Sequence, residues 1–210
     1  MRRVSGPGPI ALVELELGGP PESWARLGFA LSGGALTIGT TSLRPTGAGG
    51  GIRGWTLSGL ASAELDGLPT TLVAAAPRPE PGVHPNGAER IDHVVAATAA
   101  FERTAAALET AGLELRRTRQ ATPEVRQGFF WVGDTILELV EDPRAAAPRF
   151  WGLTVTVADL DRAADLLGDA LGDVRPAIQP GRRIATVRRE AGHGVPLALM
   201  SPHVRVEAPS

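Results

Sequence analysis

Four histidines, the carboxylates and the hydroxyls are the acid–base and nucleophilic groups open to this chain, because its 210 residues include no Cys, no Tyr and no Lys. All 21 basic residues are therefore Arg. The absences remove thiol nucleophiles, thiolate metal sites, Schiff-base lysines and Walker-type phosphate loops, each of which requires one of the missing side chains. Of the histidines, His93 stands between Ile91 and Val95 at period two, and Glu138 stands in the same way between Ile136 and Val140. Each polar group is thus flanked on its own strand face by apolar ones, which predicts burial, and a buried polar group needs a partner whatever its role. Two roles stay open for the pair: a neutral imidazole hydrogen-bonded to a neighbouring carboxylate, or an acid–base couple using a group that titrates near neutrality. His84, His193 and His203 fall beside prolines, glycines and the tail, and the expectation for them is solvent exposure.

Gln127-Gly128-Phe129-Phe130-Trp131 is the densest aromatic cluster in a chain with only 4% aromatic residues. Alternation sends Phe129 and Trp131 to one face, where they are candidates for ligand contact as much as for core packing. Gln179-Pro180-Gly181-Arg182-Arg183 is a turn, and Arg182 and Arg183 are candidates for binding a carboxylate or phenolate at a pocket mouth. Gly49-Gly50-Gly51-Ile52-Arg53-Gly54 matches a dinucleotide glycine pattern formally, but a strand-like run follows it instead of a helix, so the expectation is a hairpin loop. Serine-hydrolase elbows, zincin pairs and calcium loops are missing from the sequence.

The elements that must hold these residues fall into three pieces. Prolines and glycines around 77–87 predict a linker over 76–88, leaving residues 8–75 before it and 89–203 after it. In the second piece a β-branched strand at 91–96 precedes a helix at 101–112 whose apolar face is Phe101, Ala105 and Leu108. Strands at 113–118, 126–132 and 135–140 follow. The third piece repeats the order: a strand at 150–157, Asp159 as N-cap, a helix with Leu160, Ala164, Leu167 and Leu171 on one face closed by Gly172, then strands at 174–178, 183–188 and 195–200. The first is fainter, with a strand at 11–17, a helix starting near Pro21 with Trp24, Leu27 and Leu31 on its face, and strands at 36–43, 52–60 and 68–73.

Tandem βαβββ units with a His in the first strand (Ile91-Asp92-His93-Val94-Val95) and a Glu in the fourth (Thr135-Ile136-Leu137-Glu138-Leu139-Val140-Glu141) make the chain resemble the vicinal oxygen chelate superfamily. This is the group of glyoxalases, bleomycin-resistance proteins and extradiol dioxygenases. Trp151-Gly152-Leu153-Thr154-Val155-Thr156-Val157 resembles the opening of the partner module. The resemblance implies an α+β fold in which two modules pair into a partly closed barrel around a small ligand, with a degenerate extra N-terminal βαβββ module over 8–75. It also implies a divalent metal (Fe, Mn, Ni or Zn) with His93 and Glu138 as ligands or, without metal, as base and partner. Aligning the modules puts Leu153 and Ala198 at the other two ligand positions, so half the shell is apolar; Glu14 or Glu16, or another subunit, is a candidate source of a third ligand.

The functions implied are lyase, isomerase or ring-cleaving chemistry on a small oxygenated substrate, or sequestration of a small compound without catalysis. With a net charge of −2 and scattered arginines, nucleic acid is not an expected partner. No stretch has the apolar length of a signal peptide or a membrane span, and a cytoplasmic location is expected. A homodimer is expected, because an unpaired module exposes an apolar sheet face that a second copy would cover.

Overall fold

Strand-forming runs of Leu, Ile, Val and Thr alternate with glycine-bearing turns along the whole chain, and the computed structural model arranges them into two mixed, open sheets over the described residues 8–75 and 79–203. Residues 76–78 of the expected linker lie outside the described residues.

The first sheet has the order β2-β3-β1-β4-β5. Its elements are β1 (Ala11–Leu17), helix α1 (Pro21–Arg26), β2 (Leu36–Ile38), β3 (Thr41–Pro45), β4 (Ile52–Ser58) and β5 (Thr70–Val73). Pro21 occupies the first turn of α1, where its missing N–H costs nothing. The expected single strand at 36–43 is instead two, broken at Gly39-Thr40, and Leu31 lies beyond the helix. The glycine loop is not a hairpin either. Strands β3 and β4 never pair with each other; β1 lies between them, parallel to β3 and antiparallel to β4, so the loop must cross the end of β1. That crossing explains the glycines: a Cβ on Gly18 would lie 2.6 Å from the Gly50 Cα, a contact no side-chain-bearing residue tolerates.

The second sheet has eight strands in the order β11-β12-β13-β10-β6-β9-β8-β7. One module is β6 (Ala88–Thr98), α2 (Phe101–Ala111), β7 (Glu114–Thr122), β8 (Val125–Val132) and β9 (Thr135–Glu141). The other is β10 (Arg149–Val157), α3 (Leu160–Leu167), β11 (Arg175–Pro176), β12 (Arg183–Thr186) and β13 (Leu197–Met200). In each module the first strand runs parallel to the fourth, and the two first strands, β6 and β10, pair antiparallel at the centre. Asp159 caps α3 as expected, accepting from the Asp161 and Arg162 amides at 3.0 and 3.1 Å. The helix stops at Leu167, however, where Gly168 turns it into a short 3₁₀ segment, so Gly172 is not its cap.

The first sheet packs on the central strands of the second, on the face away from His93. Trp55 of β4 meets Phe150 of β10 with ring centroids 5.0 Å apart, and Asp66 hydrogen-bonds Arg103 and Thr104 of α2. Buried residues of both sheets form one continuous core. The segment before β6 is pinned instead of loose: the Asn86 amide donates to the Leu27 carbonyl at 2.8 Å, and His84 bridges the Ala30 amide and the Thr37 carbonyl. His84 and His193, expected at the surface, are both buried, whereas His203 is exposed.

Candidate functional site

The sheet curls so far that its two edge strands, β7 and β11, line the same hollow. That hollow has two lobes, of about 850 Å³ and about 650 Å³, and both include His93, Gln127 and Glu138. Val95, Val140, Trp151 and Ile184 give the larger lobe its apolar wall. Such volume and lining suit a small molecule.

Two bulges decide what faces this cup. Thr154 pairs with His93 and Val155 with Ile91, so Asp92 is an extra residue on β6; Phe150 pairs with Ala96 and Gly152 with Val95, so Trp151 is the extra residue on β10. A bulge reverses the alternation of side chains beyond it. Asp92 is thereby brought to the His93 side, with Oδ2 at 2.9 Å from His93 Nδ1. Superposing the two bulges puts Gly152, not Leu153, at the position equivalent to His93. Leu153 pairs with Val94 and shares its face in the core. Ala198 keeps the place assigned to it: it pairs with Thr154 as Glu138 pairs with Val95.

From these positions a polar chain runs from the cup into the protein behind it. Arg182, 2% exposed, places Nη2 2.7 Å from Asp92 Oδ1 and 3.1 Å from Thr156 Oγ1, and Thr156 lies 3.1 Å from the same carboxylate oxygen. Burial by itself would raise the Asp92 carboxyl, but hydrogen bonds from His93 and Arg182 and the Arg182 charge outweigh it and hold the group well below the ordinary carboxylate range. An ionised Asp92 only accepts, so His93 Nδ1 donates to it, and Nε2 is turned toward Glu138, 3.7 Å from Oε2. The other Glu138 oxygen accepts from Gln127 Nε2 at 2.5 Å, and Gln127 Oε1 in turn accepts from Arg119 Nε at 2.9 Å. The sequence runs Arg119, Gln127, Glu138, His93, Asp92, Arg182, with a cation at each end and the 3.7 Å gap between Glu138 and His93 at its centre.

The other sequence candidates are scattered. Phe129 lines the smaller lobe, with the Arg117 guanidinium 4.6 Å from its ring centre. Trp131 shares that strand face but lies beyond the hollow, 44% exposed. Arg182 is consumed by the Asp92 pair, and Arg183 makes a bidentate pair with Asp161 at 2.8 and 2.7 Å; neither lines the cup. Glu14 and Glu16 are engaged with Arg44 on the first sheet at 3.0 and 3.1 Å, also away from it. Asp92, Gln127 and Arg119 were missed as site residues. The alternation Arg117-x-Arg119 opposite Gln127-x-Phe129 carried a signal for the last two; nothing in the sequence announced the bulge that recruits Asp92.

The order of strands, two βαβββ modules joined first strand to first strand around a cup that holds His93 and Glu138, decides the architecture. The eight-stranded unit has the paired-module strand order that the resemblance to the vicinal oxygen chelate superfamily implies. Solved structures similar to this chain include methylmalonyl-CoA epimerase from Mycobacterium tuberculosis, at 19% identity and TM-score 0.46, covering 57% of this chain and 92% of that one. A Streptomyces coelicolor methylmalonyl-CoA epimerase variant in complex with 2-nitronate-propionyl-CoA is similar at 22% identity and TM-score 0.46, covering 56% and 99%. A hypothetical protein from Bacillus halodurans C-125 is similar at 14% identity and TM-score 0.46, covering 57% and 98%. No family model and no curated protein matches the sequence.

A divalent metal in this cup, as the resemblance implies, would have His93 Nε2 and one Glu138 oxygen as protein ligands, and Gly152 and Ala198 where two more are needed. Among the described residues no group of three or more His, Cys, Asp or Glu converges. The Asp92 carboxylate is committed to Arg182 and His93. Two donors do not make the three or four that hold a transition metal, so the residues present do not fit a tightly bound ion.

Proposed function

We propose that the cup binds a small oxygenated carbon acid and that His93 and Glu138 move a proton on it, which is isomerase or lyase chemistry. The observation that carries this is the 3.7 Å approach of His93 Nε2 to Glu138 Oε2 inside the hollow, with each partner fixed from behind by Asp92 or Gln127. The deprotonated member takes the proton from the substrate carbon, and the protonated one returns it or protonates the oxygen where charge develops. Asp92, held anionic, stabilises the imidazolium form of His93 when it acts as base. Gln127 keeps Glu138 aimed at the same point. Val95, Val140 and Trp151 supply an apolar wall against which the carbon skeleton of the substrate packs.

The test is exchange in deuterium oxide. Small oxo acids, hydroxy acids and their thioesters are incubated with the protein, and loss of the α-proton signal is followed by NMR. At least one class is expected to exchange, with His93→Gln and Glu138→Gln lowering the rate about 100-fold or more. Compounds that bind without exchange would replace this function by sequestration in the same cup. We place the activity in the cytoplasm, consistent with the lack of any helix among the described residues long and apolar enough to cross a membrane. We take 8–75 and 89–203 as two units connected by 76–88. We further propose a homodimer formed through the unpaired edges at β7 or β11; the first sheet buries its inner face in the common core, so that face is not what a second copy covers. A monomer mass by light scattering at micromolar concentration would overturn the dimer.

A further inference from the structure

The smaller lobe is lined by three arginines, Arg117 and Arg119 from β7 and Arg175 from β11, which approach it from opposite edges of the sheet. None of the three has a carboxylate partner among the described residues. Arg117 lies over the Phe129 ring, Arg119 donates to the neutral Gln127 amide, and Arg175 makes no side-chain hydrogen bond to a described residue. Elsewhere Arg44, Arg103, Arg126, Arg144 and Arg183 pair with Asp or Glu, whereas these three share one concave wall. Among the described residues the one carboxylate on this lobe is Glu138, already bonded to Gln127. In a chain of net charge −2, three arginines without a carboxylate partner among the described residues thus share one concave wall. Phe129 and Ile178 supply the apolar surface beside them.

We propose that this lobe is an anion subsite and that the substrate has two ends: an oxygenated carbon acid at His93 and Glu138, and a phosphate or carboxylate held by Arg117, Arg119 and Arg175. Planar guanidinium groups bind either anion through paired N–H donors. The apolar strip at Phe129 and Ile178 takes the connecting body. The inference rests on the proton-transfer function above for the position of the reactive end, but the anion subsite stands on its own arginines.

The test uses phenyl phosphate, benzoate and benzyl alcohol, titrated calorimetrically in phosphate-free buffer. Phenyl phosphate or benzoate is expected to bind the native protein, and the tighter of the two assigns the anion. Arg117→Gln and Arg175→Gln, both exposed and without a carboxylate partner among the described residues, are expected to weaken that binding about tenfold or more with little change in the unfolding midpoint. Raising NaCl from about 20 to about 500 mM is expected to weaken it comparably, since an exposed charged contact is screened. His93→Gln is expected to abolish proton exchange and keep the anion affinity within about twofold. Anion binding without exchange in the native protein would remove the proton-transfer function and leave the subsite. Benzyl alcohol binding as tightly as both anions, or anion binding indifferent to both arginine variants and to salt, would overturn the subsite.

Discussion

Arg182 Nη2 lies 2.7 Å from Asp92 Oδ1, with the two side chains only 1% and 3% exposed, so a complete ion pair is sealed directly behind the imidazole of His93. Burying both charges is tolerable because each finds further partners: Arg182 also donates to the Ser201 carbonyl at 2.8 Å and to Gln179 Oε1 at 2.5 Å. The turn at 179–182 is thereby tied to the strand that carries the candidate base.

Removing one member of that pair leaves the other charge buried and alone. Arg182→Met is expected to cost about 3 to 5 kcal/mol in urea unfolding, and adding Asp92→Leu to it is expected to recover part of the loss. Because Asp92 has a folded-state pKa below its unfolded one, its contribution is fully present above the ordinary carboxylate value of about 3.9 and is lost only as pH falls below that value toward the folded one. A double variant as unstable as the single one would refute the buried-pair account.

Asp92→Asn tests a separate consequence. Without an acceptor-only partner, His93 no longer has to donate from Nδ1, and the lone pair at Nε2 is no longer assured. Deuterium exchange is expected to fall about 100-fold or more, with a smaller effect on affinity for the bound compound. An equal loss in both would make Asp92 a binding residue instead of a positioning one.

His193 is 2% exposed, packs edge-on against Trp24 with centroids 6.0 Å apart, and neither ring nitrogen has a well-formed hydrogen bond. Burial lowers its pKa, as it lowers that of His84, where a hydrogen bond to the Thr37 carbonyl opposes the effect. For both, the unfolded chain takes up a proton first as pH falls. Stability is therefore full above the ordinary histidine value of about 6.5 and declines below it, by up to about 1.4 kcal/mol per pH unit for each group. His193→Leu is expected to be neutral or stabilising at pH 7.5 and to flatten the decline between pH 7 and pH 5 in calorimetric melts. An unchanged pH slope would show that His193 does not titrate on unfolding.

The βαβββ order was legible because its causes are local: period-two and period-3.6 apolar spacing, Asp159 as cap, Gly112 in the left-handed conformation that closes α2. The site was half legible. His93 and Glu138 stand out as polar residues on apolar strand faces, but the Gly152 register, the recruitment of Asp92 and the burial of Arg182 all follow from bulges and from a turn 90 positions away in the chain, which no local pattern encodes. His84 and His193 were misplaced for a related reason. Their proline- and glycine-rich surroundings signal loops, and those loops are buried only because the first sheet packs on the second.

Ala198→Glu asks whether the missing half of a ligand shell is what keeps metal out. Position 198 on β13 is the counterpart of Glu138 and pairs with Thr154, which itself pairs with His93, so a carboxylate introduced there enters the cup from the side opposite Glu138. The native protein offers one imidazole and one carboxylate; the variant offers a third donor, the minimum usual for a transition-metal site. Manganese or nickel titrated by calorimetry is expected to bind Ala198→Glu at least about tenfold more tightly than the native protein, and His93→Ala in that background should remove the gain. Tight stoichiometric metal in the native protein, or no gain in the variant, would show that donors other than this pair govern metal binding and would reopen the metal-assisted route for the same cup.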